Sequence, residues 1–213
     1  MYVKSKMTKD PYTITADSPI SEAIELLREK SLKRIPVVRE GKIVGILTKG
    51  DIQKVSPSKA TSLSIFEINY LFTKTTVKDA MTKNVITISE DALLEEAAVI
   101  MRENRIGTLP VVKGEKLVGI ITESDIFDSF ISLLGFKEIG TRITVKSNDE
   151  PGALADIGDI FKAFNANITH IVAYRGKNGK SDVVIRTDTL DTAEIEKKLV
   201  ESGYRIEHVL KNA

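Results

Sequence analysis

The chain has no cysteine and no tryptophan, and only two histidines in 213 residues. Without cysteine there can be no disulfide, no thiolate metal site and no cysteine nucleophile. His170 and His208 stand alone, without the clustered carboxylate spacing of a zinc set. No nucleophile–base pair suggests itself either, so no catalytic residue and no metal ligand is expected. An excess of one charge is also lacking. Lys and Arg number 31 against 30 Asp and Glu, a formal net charge of +1. That leaves no broad basic field for nucleic acid, and no helix-turn-helix pattern is visible. No apolar run approaches the roughly 18 residues of a membrane span. Met1 to Lys6 lacks the apolar core of a secretory signal. The expectation is a cytoplasmic, non-enzymatic protein with no nucleic-acid or membrane partner and no obligatory cofactor. Gly179-Lys180-Ser181 fails as a phosphate loop, because Tyr174 stands where that loop requires its first glycine.

What remains is 42% hydrophobic and 29% charged, an ordinary globular composition, and much of it is written twice. Residues 7–52 repeat at 81–126 without a gap, with about 20 of the 46 positions identical. The pattern centres on Gly45-Ile46-Leu47-Thr48-Lys49-Gly50-Asp51, which returns as Gly119-Ile120-Ile121-Thr122-Glu123-Ser124-Asp125. An apolar run reads as a buried strand. The Thr and Asp that follow read as a helix entrance, where such side chains cap free N–H groups or hold a ribose or phosphate. Upstream in each copy, a short strand is expected at Tyr12 to Thr15 and at Ile86 to Ser89. Then comes a helix with Ile20, Ala23, Ile24 and Leu27 on one face, and Leu94, Ala97, Ala98 and Met101 in the second copy. A strand entered by proline follows, at Ile35-Pro36-Val37-Val38 and Leu109-Pro110-Val111-Val112. Each copy is therefore β-α-β-β-α.

Between the copies, Ser56-Pro57-Ser58 reads as a breaker. Leu63, Phe66 and Tyr70 at helical spacing read as a bridging helix whose aromatics bury against a neighbour. Phe127 to Phe136 continues the last helix of the second copy until Gly135 and Gly140 end it. The tail has a different plan. Strands are expected at Arg142 to Lys146, Ile168 to Arg175, Asp182 to Arg186 and Tyr204 to Leu210. Helices are expected from Leu154 and from Leu190, and a hairpin turn at Lys177-Asn178-Gly179-Lys180. The order βαββαβ is the ferredoxin-like plan. The expected fold is α+β, divided as repeat one at 1–60, a bridging helix at 61–75, repeat two at 76–135 and the tail domain at 136–213.

The doubled unit resembles a pair of CBS domains, a Bateman module, through Gly45…Thr48…Asp51, Gly119…Thr122…Asp125, the Pro-Val-Val strands and the Met-Thr entrances. The tail resembles an ACT domain through Asp149-Glu150-Pro151-Gly152-Ala153-Leu154 and the Asn167-Ile168 strand entry. The order CBS-CBS-ACT is similar to that of the AcuB-like acetoin-utilisation regulatory proteins. The resemblance implies a pseudo-twofold pair of clefts for an adenosine compound: AMP, ADP, ATP, S-adenosylmethionine or NADH. Carried over, one cleft would hold Thr48 and Asp51 with Val85, Ile86, Leu109 and Pro110. The other would hold Thr122 and Asp125 with Pro11, Tyr12, Ile35 and Pro36, and Arg34 as a phosphate contact. Gly107-Thr108 replaces Lys33-Arg34 in the second copy, so the clefts should differ. The ACT resemblance implies an amino-acid site at Asn148, Asp149, Gly152 and Asn167, or a dimer contact. The function implied is an allosteric ligand sensor acting on a target protein. A homodimer is expected, because the edge strands of the tail and the apolar bridge and join segments need covering. A constitutive adaptor without a ligand, and an enzyme of an unrecognised kind, remain as alternatives.

Overall fold

A computed structural model describes residues 1–56, 64–176 and 179–212. The expectations at Pro57, Ser58, Leu63, Lys177 and Asn178 lie outside the described residues. The chain divides into two compact units, Met1–Ile126 and Phe127–Ala213. Among the described residues no helix is long and apolar enough to cross a membrane.

The first unit begins with a 3-10 turn at Val3–Ser5. Strands β1 (Thr8–Lys9) and β2 (Ile14–Thr15), helix α1 (Ile20–Glu29), strands β3 (Arg34–Arg39) and β4 (Lys42–Thr48), and helix α2 (Lys49–Val55) follow. The bridge holds α3 (Ile65–Lys74) and the single turn α4 (Val77–Ala80). Repeat two supplies β5 (Ile88–Ser89), α5 (Leu94–Asn104), β6 (Thr108–Lys113), β7 (Lys116–Thr122) and α6 (Glu123–Leu133). The entrance strands are shorter than expected, with Tyr12 and Ile86 outside them. Ile20, Ala23 and Leu27 are buried on one side of α1, with Ile24 packed beside them, as the 3.6-residue spacing requires. On α3 the expectation fails for Phe66, which is 86% exposed, while Phe72 packs against the first core.

The prolines sit third in their strands rather than first. Pro36 faces Ile46 of β4. Ile46 spends its N–H and C=O on Thr82, at 3.0 and 2.9 Å, so this pairing asks no N–H of proline. On the other side β2 reaches only Val37 and Val38, which leaves the Pro36 nitrogen beyond the end of the ladder.

The sheet order is β2-β3-β4-β7-β6-β5, with β1 added on β7. The entrance segments are exchanged between the repeats. Thr8 of the first pairs Ile120 of the second, and Thr82 of the second bridges Ile46 of the first. The turns ahead of them follow suit. Val3 and Lys4 donate to Ala92 and Glu90, and Val77 and Lys78 donate to Ser18 and Ala16, all at 2.9 Å. Val3 is therefore buried in the second repeat's core, and Val77 in the first. The central glycines permit this approach. A Cβ on Gly119 would lie 2.5 Å from Met7 Sδ and 3.0 Å from the Thr8 carbonyl oxygen, and one on Gly45 would meet Met81 in the same way.

In the second unit, β8 (Gly140–Asn148), α7 (Ala153–Ala163), β9 (Ile168–Arg175), β10 (Lys180–Thr187), α8 (Ala193–Glu201) and β11 (Arg205–Asn212) form an antiparallel sheet in the order β11-β8-β10-β9. Both helices pack on one face. Ile157, Ile160 and Phe161 of α7, with Ile195 and Leu199 of α8, meet Ile143, Val145, Val183 and Ile185 of the central strands. The alternation of those strand residues sends Arg142, Val184 and Arg186 to the opposite face.

Candidate functional site

Each Thr/Asp pair closes a capping box. In repeat one, the Thr48 N–H and Oγ1 donate to Asp51 Oδ2 at 3.1 and 2.6 Å, and the Asp51 N–H donates to Thr48 Oγ1 at 3.2 Å. In repeat two, Thr122 donates to Asp125 Oδ2 at 2.8 and 2.7 Å, and the Asp125 N–H returns the bond at 3.4 Å. Two free N–H groups at the first turn of each helix are thus satisfied reciprocally.

The two carboxylates differ. Asp51 is buried, and its Oδ1 accepts from Lys54 Nζ at 3.0 Å. Burial alone would raise the Asp51 pKa. The hydrogen bonds from Thr48 and Lys54 outweigh it and hold the carboxyl below its ordinary value. Asp125 is half-buried and carries no lysine at the third position after it, where Asp128 stands.

A cavity of about 430 Å³ opens beside the start of α6. Its walls come from both repeats: Thr8, Pro11, Tyr12, Lys33, Arg34 and Pro36 from the first, and Gly107, Ile120, Thr122, Glu123 and Ser124 from the second. The exchanged entrance strand is what carries Pro11 and Tyr12 across to Thr122. The Tyr12 ring is 53% exposed, with Lys30 Nζ 5.3 Å from its centroid. Gly107 keeps the middle of the cleft open. A Cβ there would lie 2.9 Å from Glu123 Oε2 and 3.6 Å from an Arg34 guanidinium nitrogen. Burial lowers the Arg34 pKa from its ordinary value, against the opposing pull of Glu123. A guanidinium stays charged under that shift, so the cavity wall holds a partly desolvated cation.

Of the residues expected in this cleft, the structure brings Pro11, Tyr12, Arg34, Pro36 and Thr122 to one wall. Ile35 is fully buried on the core side of β3, since its neighbour Pro36 faces the cleft. Leu109 is turned inward for the same reason, in the second core. Asp125 lies behind Thr122 as its cap partner rather than on the cavity wall. For the other cleft, Thr48 and Asp51 cap α2. Pro110 is buried in β6 opposite Ile120. Val85 is half-buried and Ile86 exposed, on the connection leading from the Thr82 bridge to β5. Lys33 and Gly107, the positions at which the two copies were expected to differ, both line this wall. Glu123 is a wall residue that the sequence alone did not single out, although the repeat register sets it against Lys49.

The tail residues are not gathered into one site. Asn148 ends β8 opposite Lys180, and Ile168, next to Asn167, faces Thr187 at the other end of β10. Seven residues of strand separate those levels, roughly 24 Å at ~3.4 Å per residue. Within one chain, Asn167 therefore cannot share a ligand with Asn148. A polar cavity of about 280 Å³ is lined by Asn148, Glu150 and Pro151 together with Ser202, Tyr204 and Arg205. Asp149 instead pairs with Arg175 Nε at 3.1 Å. Gly152, at φ +95°, precedes α7 with open space around it. Among the described residues no group of acidic, histidine or cysteine side chains is placed to hold a metal ion.

The CBS domain model matches residues 3–58 and 77–132, and the ACT domain model matches 141–202. An inosine-5'-monophosphate dehydrogenase of Thermoplasma acidophilum is 37% identical over 119 residues, 55% of this chain. The chain spans only 21% of that relative's length. Among solved structures, a Vibrio cholerae protein named for acetoin utilization (AcuB) superposes with a TM-score of 0.53 at 29% identity, over 64% of this chain and 94% of that one. CBSX2 in complex with AMP has a TM-score of 0.53 at 26% identity, over 62% of this chain and 97% of that one. The repeat register, the paired sheet and the matched segments agree, and the chain belongs to the CBS-domain family, as a tandem CBS pair followed by an ACT domain.

Proposed function

We propose that this protein is a regulatory ligand sensor. It binds an adenosine compound in its CBS-pair clefts and passes the bound state to a target protein. The observation that carries this reading is the cavity beside α6, built by both repeats and faced by the half-buried Arg34. Its lining also has the make-up of a small-molecule site, apolar walls with a few placed polar groups. Pro11, Tyr12, Pro36 and Ile120 offer an apolar slot for a purine. Arg34 and Lys33 offer cations to a phosphate. Thr122, on the wall and oriented by its bond to Asp125 Oδ2, offers an oxygen lone pair to a ribose hydroxyl. The AMP carried by CBSX2 supports the ligand class.

Glu123 lies in the same wall, so the cleft should take one phosphate more readily than three, and AMP should rank above ATP. The ACT domain takes a second small ligand, an amino acid, or joins two chains. Exposed apolar side chains at Phe127, Leu133, Phe136 and Ile139 favour a homodimer. By likeness to the Vibrio cholerae protein, acetoin utilisation is the first pathway in which to seek the target.

Calorimetric titration of the full chain with AMP, ADP, ATP, S-adenosylmethionine and NADH tests the reading. Arg34→Ala should weaken AMP by about tenfold or more, the scale of one charged hydrogen bond. Asp125→Asn should weaken every adenosine compound. No binding at millimolar ligand, or affinities indifferent to both substitutions, would leave the pairs as helix caps alone and favour the adaptor reading.

A further inference from the structure

The face of the ACT sheet turned away from α7 and α8 carries a second cavity, of about 340 Å³. Across it runs one cross-strand row. Leu210 of β11 faces Arg142 of β8, Arg142 faces Arg186 of β10, and Arg186 faces His170 of β9. Two arginines directly opposed on adjacent strands repel each other. Arg186 is moreover only 3% exposed. Its guanidinium donates to the Glu138 carbonyl, at 2.8 Å, its one side-chain hydrogen bond among the described residues. Among the described residues, neither Arg186 nor Arg142 forms an ion pair. The nearby Glu138 carboxylate is drawn to His170 Nδ1 instead, at 3.5 Å.

The cavity is held in shape from above. Gly135, at φ +61°, has no Cβ where the His170 ring packs, and Asn212 Nδ2 donates to the Phe136 and Glu138 carbonyls at 3.3 and 2.9 Å. The other walls are apolar, among them Ile131, Leu134, Phe136, Val172 and Val184. A buried cation without a counter-charge is costly, and a second one beside it compounds the cost. An anion seated between the two guanidinium groups would relieve both. With two arginines set against Glu138, the local excess is a single positive charge when His170 is neutral. That matches a monoanion better than a phosphate dianion. A planar carboxylate also fits the guanidinium fork in a two-bond geometry.

We propose that this cavity binds a small monocarboxylate with an apolar body, its carboxylate between Arg142 and Arg186. The site is independent of the CBS clefts and of what they bind. It differs in kind from an amino-acid site, because an ammonium group would enter a pocket that already holds two cations.

The probes are octanoate, its neutral counterpart octanamide, and the pair 4-methylpentanoate and leucine, which differ only by the ammonium group. Each is titrated calorimetrically into the full chain. Octanoate should bind about tenfold or more tightly than octanamide, and 4-methylpentanoate more tightly than leucine. Arg142→Gln, at the partly exposed member of the pair, should weaken octanoate to the level of octanamide. Arg34→Gln, in the CBS cleft, should leave octanoate unchanged. Circular dichroism of Arg142→Gln checks that the fold is kept, and Arg142→Lys, which retains the charge, should recover part of the affinity. The proposal is overturned by equal affinity for acid and amide, by octanoate binding that ignores Arg142→Gln, or by no binding at millimolar octanoate.

Discussion

Replacing Gly119 with alanine tests whether the exchanged entrance strand holds the CBS unit together. Gly119 sits in extended backbone, opposite Lys9 on one side and Val111 on the other. Alanine is allowed there, and by its effect on the unfolded chain alone it should add about 0.4–1 kcal/mol of stability. The structure predicts the opposite sign. The new Cβ would lie 2.5 Å from Met7 Sδ, 3.0 Å from Met7 Cγ and 3.0 Å from the Thr8 carbonyl oxygen. Carbon contacts are comfortable only at about 3.5–4.0 Å. The Met7 side chain can swing aside, but the Thr8 carbonyl belongs to the β1–β7 pairing and moves only if that pairing opens. Overpacking of this kind costs about 1–3 kcal/mol. The net expectation is a loss of about 1–2 kcal/mol. Urea denaturation followed by far-ultraviolet circular dichroism measures it. Gly158 in α7, whose Cβ would meet nothing within 4 Å, supplies the contrast. There alanine should stabilise by up to about 1 kcal/mol. In a Met7→Ala background the Gly119→Ala penalty should shrink by more than about 0.5 kcal/mol. Stabilisation by Gly119→Ala, or strict additivity with Met7→Ala, would refute the reasoning. Loosening β1 also loosens Thr8, Pro11 and Tyr12, so AMP affinity should fall with stability.

Two further outcomes follow from single residues. The depressed Asp51 pKa means its contribution to stability is present above the unfolded value of about 3.9 and is lost as pH falls through the lower folded value. The stability advantage of the wild type over Asp51→Asn should therefore be constant from pH 6 to 8 and shrink below about pH 4; urea midpoints across that range that show no such decline would contradict it. Phe161 is fully buried between α7 and the ACT sheet, so Phe161→Ala should cost about 3–5 kcal/mol. A loss below about 1 kcal/mol in chemical denaturation would mean that core is not the tightly packed one described.

What the sequence by itself determined is local or periodic. The offset of 74 residues, the buried stripe of α1, the capping pairs at Thr48/Asp51 and Thr122/Asp125 and the βαββαβ order of the tail depend on neighbours a few positions apart or on direct repetition. These are the distances over which helical and strand periods act. The capping role followed from residue type and spacing alone. Tertiary structure decided what depends on partners distant in sequence. Ile35 and Pro36 are consecutive, yet one fills the core and the other faces the cleft, because a strand register slip of one residue reverses every side chain. Only the pairing of Thr8 with Ile120 and Thr82 with Ile46 shows that each repeat is completed by the other's entrance. The same pairing explains why Gly45 and Gly119 lack side chains. Asn148 and Asn167 both border turns, but the sheet sets them at opposite ends. Arg142 and Arg186, 44 positions apart and unremarkable in the sequence, become a facing pair of like charges, one half-buried and one buried, only when β8 and β10 are zipped in register.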